Sequence, residues 1–160
     1  DAYEGYQAPI PPDERGDMLN AYYKRLTGED RKKQLEAARA WSVWEGSTLS
    51  LLEDPSRIGQ FAQEDFALAF ARIECHYFVN NGFFEQDGQL IANAGRLKDI
   101  PGVIVHGRYD VVTPLKSAWE LARNWPGSKL KIVPDSGHAM TELGIIHELV
   151  AATRALGPER

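Results

Sequence analysis

The residues with the most suggestive chemistry are an aspartate and a histidine, each placed shortly after an apolar run. Asp110 follows the stretch VIVHG, and His138 follows the stretch KLKIVP. A carboxylate that accepts a hydrogen bond from one imidazole nitrogen fixes the tautomer, so the other nitrogen can take a proton from a serine or cysteine. The pair therefore predicts nucleophile activation. An aspartate that caps a turn and a partly buried loop histidine explain these two residues equally well.

The nucleophile for such a pair is not evident in the sequence. The chain contains no G-x-S-x-G motif, and Cys75 lies in an apolar helical run instead of a strand-to-helix turn. In α/β hydrolases the catalytic residues occur along the chain in the order Ser, Asp and His. A segment that begins after the serine therefore carries the other two and lacks the nucleophile. We expect the chain to be the C-terminal part of such an enzyme. The other histidines, His76, His106 and His147, are expected in packing or at the surface.

The elements that must position Asp110 and His138 form a βαβα pattern. The runs PGVIVHG and KLKIVP predict two strands, the first of them buried on both faces. A helix from Pro114 to about Trp125 lies between them, and TELGIIHELVAATRAL predicts a closing helix. A crossover of this length makes the strands parallel, so the residues beyond their C-terminal ends share one edge of the sheet. Open α/β sheets place their chemistry at that edge, where Asp110 and His138 could meet.

The first half of the chain has helical periodicity and no sustained alternation. Helices are predicted at residues 12–28, from Asp30 to about Leu52, and from about Phe61 to Val79, with Asp54-Pro55 ending the second. Residues 83–99 are predicted to be a connection with a short helix. The fold class is therefore α/β, with an all-helical region before the βαβα part.

Composition excludes several classes of protein. The 160 residues carry a net charge of −5 and include a single cysteine, Cys75, which can form no internal disulfide. The net negative charge does not favour binding to nucleic-acid phosphates, and the apolar runs are too short to cross a bilayer. We therefore expect no nucleic-acid partner, no membrane partner and a cytoplasmic location.

Two acidic residues stand at helix positions that should be apolar. Glu45 falls in the middle of an apolar stripe that includes Trp41 and Leu49, and Glu74 shares a helix face with Phe70 and Phe78. Buried acids are costly unless a cation pairs with them or they are protonated. Neutralisation by Arg39 or Arg72 is one explanation, and a binding site for a cationic group is the other.

Four stretches closely resemble the prolyl aminopeptidases, or proline iminopeptidases, of the α/β-hydrolase superfamily. They are AARAWSVWEGSTLSLL, FALAFARIECHYFVNNGFF, GRYDVVTP and SAWELARNWPGSKLKIVPDSGH. The resemblance implies a helical cap domain at residues 1–95 and the C-terminal part of the α/β-hydrolase core at 96–160. It also implies a serine exopeptidase that releases N-terminal proline from peptides by acyl transfer, with Asp110 and His138 as the catalytic acid and base.

The same resemblance implies roles for the anomalous acids. It places Glu45 and Glu74 at the positions that bind the substrate's N-terminal amine, and a prolyl ammonium has two N–H donors for two carboxylates. Phe78 is the candidate for packing against the pyrrolidine ring, and Thr113 is a candidate for tuning substrate preference, whereas Trp41 and Trp44 are expected in the cap core. The partners are then peptides with N-terminal proline and the missing N-terminal part of the core. No metal or organic cofactor is expected.

Two alternatives stay open. Another capped α/β hydrolase, such as an esterase or epoxide hydrolase, would share Asp110 and His138 but would have no use for two cap acids. A non-catalytic domain with a hydrolase-like shape would need neither the Asp110–His138 pair nor the two cap acids. The chain by itself is expected to be inactive and to aggregate, because two strands cut from a larger sheet expose an apolar edge.

Overall fold

The computed structural model describes residues 1–157, which form two compact units. The first unit comprises residues 1–47 and 53–84, and the second comprises residues 48–52 and the described residues from 85 onward. The second unit thus takes a five-residue segment from within the sequence of the first. The predicted domains at 1–95 and 96–160 rest on a different criterion, the family resemblance, and stay a prediction.

The first unit is helical. Its α-helices are α1 (Ala2–Gln7), α2 (Met18–Thr27), α3 (Arg31–Thr48), α4 (Pro55–Phe61) and α5 (Glu64–Val79), with short 3₁₀ helices at Pro12–Asp17 and Asn81–Phe83. The predicted helices at 12–28, 30–52 and 61–79 are recognisable in this order. Gly28 ends α2, as its position after the last helical residue predicts.

Side chains of helices α2, α3 and α5 form the core of this unit. The fully buried residues combine three large side chains, Tyr22 and Leu26 from α2 and Ile10 from the segment before it, with a series of small ones. Small residues at helix contacts let the backbones approach closely, which is how α2 and α5 come to pack together. The small core residues are Ala21, Ala37, Ala38, Ala67, Ala71 and Cys75.

Several helix boundaries differ from the prediction. The region predicted as one helix at 12–28 is a 3₁₀ helix followed by α2, and the helix predicted from about Phe61 begins at Glu64. Asp54-Pro55 was expected to end a helix, but it begins α4: the Asp54 carboxylate accepts a hydrogen bond from the backbone N–H of Arg57 at 3.1 Å, and Pro55 occupies the first turn. The preceding helix, α3, ends at Thr48 instead of Leu52. The short helix α1, held by a capping box at Asp1, was not predicted.

The second unit contains the two strands in the predicted order. Strand β1 (Gly102–Gly107) pairs in parallel with β2 (Ser128–Val133), in register from Gly102 opposite Ser128 to Gly107 opposite Val133. Helix α7 (Leu115–Asn124) connects them, and α8 (Leu143–Leu156) follows. The region before β1 holds α6 (Gln89–Ala92) and a 3₁₀ helix at Ala94–Leu97. The prediction of a parallel βαβα arrangement is confirmed, and it is compatible with part of an α/β fold.

Burial of the strands is lower than predicted. Only the first and last residues of β1 are buried, and those between are half-buried, so the expectation of a strand covered on both faces was wrong for this chain. Within the described residues the sheet has two strands, and both α7 and α8 contact it. Two strands and two helices provide too little surface to cover both faces.

No helix among residues 1–157 combines the length and the apolar character needed to cross a membrane. The longest described helix, α3, begins with the charged residues Arg31, Lys32 and Lys33.

Candidate functional site

The loops that follow β1 and β2 are joined by backbone hydrogen bonds. The N–H of Arg108 donates to the carbonyl of Val133 at 2.9 Å, and the N–H of Tyr109 donates to Ser136 at 3.0 Å. A Cβ at Gly107 would stand 1.9 Å from the carbonyl oxygen of Gly137, so no larger residue fits at the end of β1. This close approach brings the segment that carries Asp110 against the segment that carries His138.

Asp110 is buried and its carboxylate is held by its own turn. Oδ1 accepts hydrogen bonds from the backbone N–H groups of Val112 at 3.0 Å and Thr113 at 2.8 Å. Oδ2 accepts from the hydroxyl of Thr113 at 2.8 Å. Such an Asx turn orients the carboxylate from within its own loop. Thr113, predicted to influence substrate preference, is therefore also a direct partner of Asp110.

Nδ1 of His138 lies 2.9 Å from Oδ2 of Asp110. Because a carboxylate can only accept, this contact places a proton on Nδ1, and in the neutral imidazole Nε2 then carries the lone pair. The hydroxyl oxygen of Thr113 lies 3.1 Å from the same Nδ1 and shares its proton. The imidazole is about one-third exposed, 34% of its side chain, while the Asp110 side chain is 4% exposed. The contact provides the geometry of a general base, and that role stays a prediction.

The surroundings of Asp110 lower its pKa below the ordinary value. Burial opposes this, since it penalises the charged carboxylate and raises the pKa. The hydrogen bonds from the Thr113 backbone, from His138 and from the Thr113 hydroxyl favour the charged form and outweigh burial. Asp110 is thus stabilised as a carboxylate, the form that can orient an imidazole.

We expect this pKa shift to make stability depend on pH. A carboxylate with a lowered folded-state pKa stabilises the fold above its unfolded pKa of about 3.9 and loses that contribution as the pH falls through the folded value. The urea midpoint of the full-length protein should exceed that of Asp110→Asn near pH 7, and the difference should shrink below about pH 4. Asp99→Asn, at an exposed position of the same unit, controls for the loss of one charge. A difference that stays constant down to pH 3 would contradict the shift.

His106, which was expected in packing or at the surface, lies beside the same carboxylate. Its Nε2 is buried 3.5 Å from Oδ2 of Asp110, and no described residue hydrogen-bonds it. Sequence reasoning missed this neighbour although the signal was present: His106 precedes Asp110 by four residues across a tight turn. The other two histidines, His76 and His147, are exposed, as expected.

In the helical unit, Glu74 accepts a hydrogen bond from a buried tryptophan. Nε1 of Trp41 lies 2.6 Å from Oε2 of Glu74, joining α3 to α5. Trp41 is 4% exposed and belongs to the core, as predicted for a packing residue. Its indole N–H nevertheless has a polar partner, which packing considerations did not include. The bond fixes one oxygen of Glu74 and so orients the carboxylate.

Tyr6 lies beside Trp41, with a distance of 6.0 Å between the ring centroids, and the sequence did not reveal this contact. Its ring stacks on Trp44 at a centroid distance of 5.7 Å and on Tyr22 at 4.8 Å. Burial raises the pKa of Tyr6 to about 12, with further contributions from Cys75, Glu45 and Glu74. Glu45 and Glu74 thus act in the same direction on the pKa of Tyr6.

Phe78 follows Glu74 by about one turn of α5 and has a half-exposed ring. The ring lies 6.1 Å from that of Trp41, and the residue is 49% exposed. An apolar ring beside an oriented carboxylate suits a ligand that is both cationic and apolar. Arg39 and Arg72, the alternative partners considered for Glu45 and Glu74, are exposed side chains.

Cys75 does not have the properties of a nucleophile. The thiol is buried, and burial together with the charge of Glu74 raises the pKa of Cys75 to about 11. A thiolate is the reactive form of cysteine, so this environment keeps Cys75 inert. Across residues 1–157, no group of three or more His, Cys, Asp or Glu side chains is arranged to hold a metal ion.

The chain is similar to several curated proteins, although no protein-family model matches it. A probable proline iminopeptidase of Leptolyngbya boryana is 58% identical over 153 residues, which cover 96% of this chain and 48% of the relative. A proline iminopeptidase of Xylella fastidiosa (strain 9a5c) is 54% identical over 153 residues, covering 96% and 49%. One from Arabidopsis thaliana is 46% identical over 157 residues, covering 98% and 41%. The chain is therefore a homologue of the proline iminopeptidases along nearly its whole length, and it spans about half the length of these relatives.

Proposed function

We propose that the chain is part of a serine exopeptidase that releases proline from the N-terminus of peptides. The curated relatives support the reaction class, and the parallel βαβα unit is compatible with the last strands of an α/β-hydrolase sheet. The helical unit, with residues up to about 95, is then the cap. The serine nucleophile and the oxyanion-hole donors are proposed to lie in the half of such a protein that this chain does not span.

The observation that carries the proposal is the 2.9 Å contact between His138 Nδ1 and Asp110 Oδ2. In the proposed reaction Nε2 of His138 takes the proton of the serine hydroxyl while the oxygen attacks the carbonyl of the N-terminal proline. The imidazolium, stabilised by Asp110, then protonates the departing amine and leaves a prolyl-enzyme ester. A water molecule, deprotonated by the same nitrogen, hydrolyses the ester and releases proline.

Selection of the N-terminus is assigned to the acidic cluster of the helical unit. Glu45 and Glu74 are proposed to accept hydrogen bonds from the two N–H groups of the prolyl ammonium. Phe78 is proposed to pack on the pyrrolidine ring. The hydrogen bond from Trp41 supports this role for Glu74, because it holds the carboxylate in one orientation. An acylated N-terminus has no positive charge and offers the two carboxylates no ammonium N–H donors, which is a basis for rejecting it.

The test is a comparison of two substrates of the intact protein, meaning the product of the complete reading frame that contains this chain. A prolyl anilide should be cleaved rapidly, and its N-acetylated form should not. Equal cleavage of both would keep a hydrolase but remove the amine site. Cleavage of neither, with turnover of simple esters or epoxides instead, would favour another capped α/β hydrolase, and no turnover at all would favour a non-catalytic domain.

A further inference from the structure

The loop that carries His138 is bound to the five-residue segment 48–52. The backbone N–H groups of His138 and Ala139 both donate to the carbonyl oxygen of Leu49, each at 2.8 Å. Two donors on one carbonyl leave the histidine backbone little freedom to shift along the segment. The predicted role of His138 therefore depends on where residues 48–52 lie.

Glu142 joins the same two segments with its side chain. Oε1 accepts from the N–H of Gly137 at 2.8 Å, and Oε2 accepts from the N–H of Leu51 at 3.3 Å. Each carboxylate oxygen thus serves a different segment, one immediately before His138 and one in the supporting segment. Glu142 also lies directly before α8, where a negative charge is favourable at the helix N-terminus.

Gly137 shows how closely the two segments approach. A Cβ at this position would lie 2.9 Å from the nitrogen of Leu51 and 3.2 Å from the carbonyl oxygen of Leu49. Backbone lies against backbone here, so a side chain at position 137 would push the two segments apart. The Glu142 carboxylate adds two hydrogen bonds to this close backbone contact.

We propose that Glu142 is a positioning residue for His138. By holding Gly137 and Leu51 together it fixes the loop backbone, which keeps Nδ1 of His138 on Asp110 and directs Nε2 at the nucleophile. The role of His138 as the base rests on the proposed function, but the bridge itself belongs to the described residues. Displacement of a catalytic group by about 1 Å can cost about 100-fold in rate, so a loosened loop should slow the chemical step.

The test compares Glu142→Gln and Glu142→Ala in the intact protein. Glutamine keeps the size and one acceptor oxygen, but its NH₂ group would face one of the two N–H donors, whereas alanine removes both acceptors. Glu148→Gln is the matched control, because Glu148 lies on the same helix, α8, and pairs at 3.9 Å with Lys131.

We expect kcat for a prolyl anilide to fall about 10-fold for Glu142→Gln and about 10- to 100-fold for Glu142→Ala, with KM within about twofold. Rates are expressed per active site, counted by the end point of labelling with a fluorophosphonate, so a partly unfolded preparation is not mistaken for slow chemistry. Glu148→Gln should stay within about twofold of wild type. Wild-type kcat per site in Glu142→Gln, the isosteric variant, would overturn the proposal.

The rate of fluorophosphonate labelling separates this inference from the proposed function. It reports activation of the serine by His138 whatever the natural substrate is. Labelling of the wild type without prolyl cleavage would contradict the proposed aminopeptidase activity. The positioning role of Glu142 would then be tested by the labelling rates of its two variants. Labelling that is lost in His138→Ala but unchanged in both Glu142 variants would overturn the positioning role by itself. A wild type that is never labelled would overturn both.

Discussion

Asp110→Asn in the intact protein is expected to lower kcat/KM for a prolyl anilide by about 10⁴-fold. The structure gives a specific reason. An amide that keeps its oxygen on the N–H groups of Val112 and Thr113 must turn its NH₂ group toward His138. It would then donate to Nδ1 and stabilise the tautomer with the proton on Nε2, which cannot act as a base.

The measurement is steady-state kinetics of Asp110→Asn beside His138→Ala and the control Asp99→Asn. His138→Ala should lose a similar factor, because residues that act as one unit are not additive, and the double variant should be little worse than either single one. Asp99→Asn should behave like wild type. Independent, additive losses would contradict a pair that works through the Nδ1 contact.

Glu74→Gln and Glu45→Gln are expected to remove the preference for a free N-terminus. A hydrogen bond to a charged group contributes about 1.5–3 kcal/mol, so each variant should lose about 10- to 150-fold in kcat/KM for the prolyl anilide. A site that hydrogen-bonds a ligand group rejects analogues lacking it by about 10⁴-fold, so the double variant should lose most of that selectivity.

The decisive quantity is the ratio of kcat/KM for the prolyl anilide to that for its N-acetyl derivative. Each variant has a matched control on its own helix: Glu36→Gln on α3 for Glu45, and Glu64→Gln on α5 for Glu74. Both control residues are exposed. The ratio should collapse in the Glu45 and Glu74 variants and persist in the controls. A ratio that is unchanged in all four would assign the two acids to the core alone.

The elements around Asp110 and His138 were predictable because their signals are local. Gly107, Pro114 and Pro126-Gly127 mark the ends of strands and helices, and the observed β1, α7, β2 and α8 agree with the predicted ones within two residues. The rule that parallel strands end at one edge then brought two residues 28 positions apart within reach of each other.

Features that depend on distant contacts were not predictable. Helix α3 ends at Thr48, four residues early, and the carbonyl of Leu49 accepts from His138 and Ala139, a contact that periodicity within a helix cannot reveal. The bond from Trp41 to Glu74 spans 33 positions, and an indole in a core gives no sign of its polar partner. Asp54-Pro55 is ambiguous for another reason, since the same dipeptide suits a helix end and a helix start.

The segment 48–52 also has a consequence for how the chain acquires its structure. Residues on both sides of it belong to the helical unit, and the hydrogen bonds within each helix form quickly. The loop at 137–139 is synthesised about 90 residues after Leu49. Its hydrogen bonds to the Leu49 carbonyl can form only after that. During synthesis the helices can therefore mature before the last strand emerges, and closing this long-range contact becomes a late step of folding. Slow refolding should thus show itself first as a delay in acquiring the His138 loop, after the helical signal has already recovered.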